Sequence, residues 1–210
     1  NGKNTPVQLD TADGISKINC RFPINYIVNE ENEGGAASRN RGAESARGEF
    51  LSFLDDDDEY EPQRISRQLS LLLEASRNDK LVKACTSLVI RKKYGKEIDR
   101  QGYKFNRNYL VDLLALKSSL YTGSTLLMYT DVFFALEGFD TSFRRNQDLE
   151  FMIRFFQKYN IIVINEHLTI LNLEDRSHIP SYGKILETKT LFLNKFKPVI
   201  LSLTEQQQKL

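Results

Sequence analysis

The chain has 210 residues, 40% of them hydrophobic and 27% charged, a balance that excludes a disordered polymer and suits one α/β domain with or without a tail. Lys plus Arg number 29 against 28 Asp plus Glu, a formal net charge of +1, so no global field directs the protein to nucleic acid or a bilayer surface. No apolar run approaches the roughly 18 residues of a membrane span. Two cysteines, Cys20 and Cys85, lack metal-ligand spacing and make no disulfide framework, which suits a reducing, cytoplasmic compartment. The opening Asn1-Gly2-Lys3-Asn4-Thr5 has no initiator Met and no signal pattern, and reads as a cut inside a longer chain.

Residues 1 to 24 are polar with scattered apolar positions, and Ile24 to Val28 is the first strand-like run, ending in the turn-rich Asn29 to Gly35. Ala36 to Arg47 reads as a helix whose alanines let it pack close to a sheet, with Gly48 closing it. Phe50 to Leu54 is almost wholly apolar, as a strand buried on both faces would be, so these three pieces are expected to form a βαβ unit. Pro62 opens a helix with Ile65, Leu69, Leu72 and Leu73 as its apolar stripe, ended by Ser76 to Asp79. Val82 to Ile90 reads as a strand, with a hairpin through Lys92 to Gly95. A strand over Ser124 to Met128 precedes a short helix from Asp131 to Leu136, closed by a turn at Gly138. Gln147 to Tyr159 is an amphipathic helix whose Phe151, Phe155 and Phe156 belong to a core, and Ile161 to Val163 returns as a strand. His167 lies in a strand-like run and reads as structural. The division expected is a domain over 1–181 and a helical tail over 182–210.

Asp55-Asp56-Asp57-Asp58-Glu59 falls directly after the apolar Phe50 to Leu54 run, at the carboxyl edge where open α/β sheets bind ligands. On an ordinary surface such a run is a solvated loop. An EF-hand is excluded, because the glycine required at the sixth place is Tyr60 and no bidentate Glu follows. Hard oxygen ligands here suit magnesium or manganese bridging a phosphate-bearing ligand.

Asn32-Glu33-Gly34, Ser38-Arg39-Asn40-Arg41-Gly42 and Ala46-Arg47-Gly48-Glu49-Phe50-Leu51-Ser52-Phe53-Leu54-Asp55-Asp56-Asp57-Asp58 stand in order along the chain. So do Thr122-Gly123-Ser124, Gly138-Phe139-Asp140, Gln147-Asp148-Leu149-Glu150-Phe151 and Arg154. Together, over residues 24 to about 178, this series resembles the signatures of the family 2 glycosyltransferases. Ser38 stands where that pattern has Ala, and Glu137 where it has the first glycine of G-G-F-D. The resemblance implies the A-type glycosyltransferase fold: α/β, a Rossmann-like mixed sheet flanked by helices, here lacking its first β-α-β unit. It implies an inverting transferase that uses a divalent cation, Mn2+ or Mg2+, and moves a sugar from a nucleotide-diphosphate donor such as a UDP-sugar. The acceptor would be a saccharide or lipid-linked hydroxyl, in bacterial surface polysaccharide biosynthesis, on the cytoplasmic side and at the inner face of the membrane in the full-length protein.

By matching position, the resemblance implies that Asp55 hydrogen-bonds the ribose, Asp57 ligates the metal in a DXD motif, and Asp148 is the general base. Gly123 and Gln147 belong to substrate-binding motifs. Arg39 and Asn40 either decorate a surface helix or contact the base or diphosphate. Glu150 is the reserve base or an orienting group for neighbours and acceptor, and His178 stands where the family places a histidine near metal and acceptor. Asp148 has a second reading, as an acid favoured by the dipole at a helix N-terminus. Two alternatives stay open: a sugar-phosphate nucleotidyltransferase, and a catalytically inactive binding domain of the same fold.

Overall fold

The computed structural model describes residues 6–102, 108–115, 122–173 and 181–208. In chain order the elements are α1 (Pro6–Ser16), α2 (Gly35–Ser45), β1 (Phe50–Ser52), β2 (Glu59–Tyr60), α3 (Arg64–Asn78), β3 (Val82–Lys93) and β4 (Lys96–Gln101). They continue with α4 (Tyr109–Leu114), the helical turn α5 (Thr122–Thr125), β5 (Leu127–Tyr129), α6 (Thr130–Ala135), α7 (Gln147–Phe156), β6 (Asn160–Asn172), α8 (Tyr182–Ser202) and α9 (Glu205–Gln208). The sheet runs β1-β5-β3-β6-β2, with β4 paired to β3. Among the described residues β3 and β6 pair in parallel, from Val82 opposite Asn160 to Lys92 opposite Asn172 with register shifts after Val82 and on either side of Leu88, and the other pairs are antiparallel.

Alternation along the strands sends neighbouring residues to opposite faces of this sheet. Leu51, Ala84 and Met128 join Ala36 and Ala43 of α2, Phe133 of α6, Phe151 and Phe155 of α7, and Phe192 and Phe196 of α8 in one core. Cys85, Leu127 and Ile164 meet Leu72 of α3 on the other face. Burial pushes the Cys85 thiol up to about 12, so it packs as a small apolar group. Helices therefore cover both faces of a mixed sheet, as expected of this fold. Phe151 and Phe155 are core residues, and Phe156 packs against the same cluster.

The hairpin forms where its turn residues place it: Tyr94 and Gly95 have φ of 50° and 73°, so both central residues take the left-handed conformations that match strand twist. Other elements differ from expectation. Ile24 to Val28 belongs to no strand, Ile24 and Tyr26 are exposed, and an isolated bridge forms only at Asn29 beyond it, so β propensity without a ladder of partners builds no βαβ unit here. The Phe50 to Leu54 strand stops at Ser52, and of its residues only Leu51 is buried, since β1 lies at the end of the sheet order and Leu54 is exposed. Ser124 and Thr125 form a helical turn before β5 rather than the start of a strand.

The apolar stripe expected of α3 is met only in part: Leu72 is buried and Leu69 packs beside it, but polar residues share the inward face. Arg64, Gln68, Leu72 and Ser76, spaced by four, face inward, while Ile65 is exposed. Polar groups are accepted there because the sheet and the α5 turn offer them partners: Gln68 Nε2 donates to the carbonyls of Cys85 at 3.1 Å and Thr125 at 2.9 Å, and Ser76 Oγ to Val82 at 2.9 Å. A first helix, α1, forms in the polar segment where no element was expected, α7 ends at Phe156 rather than Tyr159, and β6 runs thirteen residues rather than three.

Candidate active site

The acidic run leaves β1 as a tight turn, closed by the Asp58 N–H on the Asp55 carbonyl at 3.1 Å. Its inner side is pinned from below. Tyr60 Oη donates to the Phe53 carbonyl at 2.5 Å, Arg64 Nη1 donates to Ser52 Oγ at 2.9 Å, and the Arg64 guanidinium lies 3.9 Å over the Tyr60 ring. Asp55, Asp57 and Asp58 are thereby turned toward one another, one carboxylate oxygen of each lying within 4.8 Å of the others. Asp56 is exposed and outside that trio.

Ser124 organises the cluster. Its Oγ accepts the Asp55 N–H at 3.0 Å and donates to Asp58 Oδ2 at 2.5 Å, so the α5 turn that displaced the expected strand start is what presents this hydroxyl. Asn172, at the end of β6, supports the other side: its N–H reaches Asp58 Oδ1 at 3.3 Å and its Nδ2 the Asp57 carbonyl at 2.8 Å. Burial raises the Asp58 pKa, and repulsion from Asp57 and Asp55 adds to it, against the hydrogen bonds from Ser124 and Asn172. Crowded carboxylates held close by neutral donors form a hard-oxygen donor set that fits a divalent cation.

Two residues expected at the site, Arg39 and Gly123, approach Asp55 directly, and Gln147 comes to the neighbouring start of α2. Arg39 of α2 pairs with Asp55 through Nη2 and Oδ1. A Cβ on Gly123 would stand 3.1 Å from Asp55 Oδ2, so glycine lets the α5 backbone approach that carboxylate. A Cβ on Gly35 would stand 3.0 Å from Arg39 Nη1 and 3.9 Å from Gln147 Nε2, which brings the start of α7 to the start of α2. Asp148 is half-buried in the first turn of α7, next to Gln147. Arg144 also comes to this place, its Nη1 3.7 Å from where a Gly34 Cβ would be.

The hydrogen bonds that Asn40 makes go elsewhere, to the backbone of Phe139, at 2.8 Å from Nδ2 and 2.9 Å to Oδ1. Glu150 is fully buried with both carboxylate oxygens at 2.6 Å from Arg154, and Oε1 also 2.8 Å from Lys195 of α8, so its described contacts are ion pairs within the fold. His178 lies outside the described residues, and His167 is half-buried in β6. Sequence reasoning missed Asn172, Arg144 and Lys195, which no local pattern marks; Ser124 stood inside the Thr122-Gly123-Ser124 signature but was not singled out. Among the described residues no helix is long and apolar enough to cross a membrane.

Comparison with known proteins bears on the family and the fold. An uncharacterized glycosyltransferase of Haemophilus influenzae is 26% identical over 156 residues, which are 70% of this chain and 50% of that protein. TuaG of Bacillus subtilis, a glycosyltransferase named for teichuronic acid biosynthesis, is 36% identical over 67 residues, 32% of this chain and 26% of that one. The crystal structure of S. aureus TarS 1–349 superposes with a TM-score of 0.62 at 17% identity, covering 96% of this chain and 55% of that chain. Its complex with UDP superposes with a TM-score of 0.55 at 12% identity, covering 98% and 64%. The chain thus spans about half the length of the first of these relatives. Residues 9–133, more than half of the chain and including the acidic cluster, match the family model of Glycosyl transferase family 2, and the chain belongs to that family.

Proposed function

We propose that this chain forms the donor-binding and catalytic part of an inverting glycosyltransferase that takes a sugar from a nucleotide-diphosphate donor, a UDP-sugar, to an acceptor hydroxyl in bacterial surface polysaccharide biosynthesis. The observation that carries the reading is the trio Asp55, Asp57 and Asp58, held by Ser124 and Asn172 and joined through Arg39 to the helices that flank it. Support for the donor comes from the family, from the UDP complex of TarS, and from polysaccharide relatives such as TuaG. The domain is proposed to work on the cytoplasmic side, with a saccharide or lipid-linked acceptor.

Asp57 and Asp58 would hold Mn2+ or Mg2+, with Asp55 shared between the cation and the ribose. When bound, the cation supplies charge neutralisation for the departing diphosphate. Arg39, anchored by Asp55 and brought near Gln147 at Gly35, would contact the donor diphosphate. Asp148 takes the proton of the acceptor hydroxyl as that oxygen attacks the anomeric carbon from the face opposite the diphosphate. The bond to the diphosphate oxygen breaks as the new glycosidic bond forms, which inverts the anomeric centre. An inverting displacement requires one carboxylate to take the acceptor proton, and the burial of Glu150 in its ion pairs favours Asp148 for that role.

Isothermal titration of the full-length protein with UDP, with and without Mn2+, tests the reading. Binding that depends on the cation is expected; UDP affinity indifferent to Mn2+ and Mg2+ would remove the metal-diphosphate site.

A further inference from the structure

The loop that delivers α7 begins at Asp140 and runs through Asn146, whose φ is 59°. Lys195, on α8, touches both ends of this segment. Its Nζ lies 2.5 Å from Asp140 Oδ2, where the loop starts, and 2.8 Å from Glu150 Oε1, in the first turn of α7. The same ammonium stands 5.5 Å from the ring of Phe143, which is buried in the middle of the loop. Gln147 and Asp148 sit inside the span so closed.

Charge accounting shows why one cation cannot be spared. Asp140 and Glu150 are both carboxylates, and the other cation at hand, Arg154, is already used: it gives two hydrogen bonds to Glu150 and two more to the carbonyls of Leu136 and Gly138. Without Lys195 the buried Glu150 and its neighbour Asp140 would share a single guanidinium that cannot reach further, and Asp140 would turn to solvent with the loop behind it. Ser142 Oγ and N–H also bond Asp140 Oδ1, at 2.6 Å and 2.9 Å, so the loop's own turn depends on where that carboxylate is held.

We propose that Lys195 is a positioning residue for the transfer reaction: by tying Asp140 to Glu150 it closes the 140–150 segment and holds Asp148 at the reacting centre. The inference rests on the reading of Asp148 as the base. It makes α8 part of the apparatus that positions the reaction.

The test follows UDP release from UDP-glucose, UDP-galactose and their N-acetylated counterparts by the full-length protein. Lys195→Met is expected to lower kcat about tenfold or more, the scale of a small misplacement of a reacting group, with KM for the donor within about twofold of the parent. Lys195→Arg restores most of the rate. In the double variant Lys195→Met/Asp148→Asn the rate equals that of Asp148→Asn alone, because a residue acting through Asp148 has nothing further to lose. Losses that multiply in the double variant, or that fall on KM, assign Lys195 to general stability and overturn the inference, as does an unchanged kcat. Should Lys195→Met not fold, Asp140→Asn breaks the same tie from the loop side and is read against the same outcomes. Failure of the underlying reading shows elsewhere, as an Asp148→Asn variant that turns over at the parent rate, and it removes the inference too.

Discussion

Asn40 and Phe139, 99 positions apart, are joined as paired strands are: the Asn40 amide donates to the Phe139 carbonyl and accepts its N–H. The clamp fastens α2, which carries Arg39, to the turn after α6. Arg154 grips the same turn from α7 through the Leu136 and Gly138 carbonyls. Helices bearing site residues are thus referred to one short stretch of backbone, residues 136 to 140.

Replacing Asn40 by Ala removes both bonds and leaves two half-buried backbone groups unsatisfied, a loss of about 1–3 kcal/mol. Urea unfolding is expected to show it, with UDP affinity of the folded variant close to that of the parent. Unchanged stability with lost UDP binding would return Asn40 to the donor site.

Glu137 stands where the family pattern has glycine, and its φ of 60° is the left-handed conformation that explains the pattern. Glu137→Gly relieves a strain of order 1 kcal/mol, partly offset by the entropy of an added glycine. A small rise in the urea midpoint is expected, whereas Gly138→Ala, with φ of 64° and a Cβ only 2.8 Å from Asn40 Oδ1, should lower it sharply.

The parts of the site legible in the sequence were those whose chemistry is local. The acidic run could be named because residue type and spacing carry it, and the Tyr94-Gly95 turn because its backbone demands it, whereas Gly123 and Arg39 entered only through the family resemblance and their meeting with Asp55 was not foreseen. Partners supplied by distant elements could not: Ser124 acts through a helical turn where β propensity suggests a strand, and Asn172 meets Asp58 across 114 positions. The inward face of α3 was read only in part for a related reason, since Arg64 and Gln68 are buried with hydrogen bonds to the Leu126 and Cys85 carbonyls that periodicity of apolar residues does not register. Ile24 to Val28 shows the converse, strand-forming residues with no neighbour to pair.

Cation binding should separate the adjacent acids. Adding Mn2+ is expected to raise the melting temperature of the parent, by linkage worth about 2.7 kcal/mol at a hundredfold excess over Kd. Asp57→Ala should abolish that rise and Asp56→Ala preserve it, because Asp56 lies outside the trio. Equal losses from both would mean that the run binds ions as a diffuse acidic patch.

Acid unfolding should report the tie between Lys195 and Asp140. Burial alone would raise the Asp140 pKa, but the hydrogen bonds from Lys195 and Ser142 and the nearby ammonium outweigh it and bring the carboxyl from 3.8 down to about 2. A carboxyl whose folded pKa is depressed contributes stability that is present above its unfolded pKa and lost as pH falls through the folded value. Lys195, whose own pKa is raised by Asp140 and Glu150 against the effect of burial, stays charged throughout that range, so the change belongs to Asp140. The difference in melting temperature between the parent and Asp140→Asn should therefore be constant from pH 7 to about 5, shrink between about 4 and 2, and vanish below. Other carboxyls titrate in both proteins and cancel in the difference. A difference as large at pH 2 as at pH 6 would show that Asp140 stabilises the loop through its bonds to Ser142 and not through its charge.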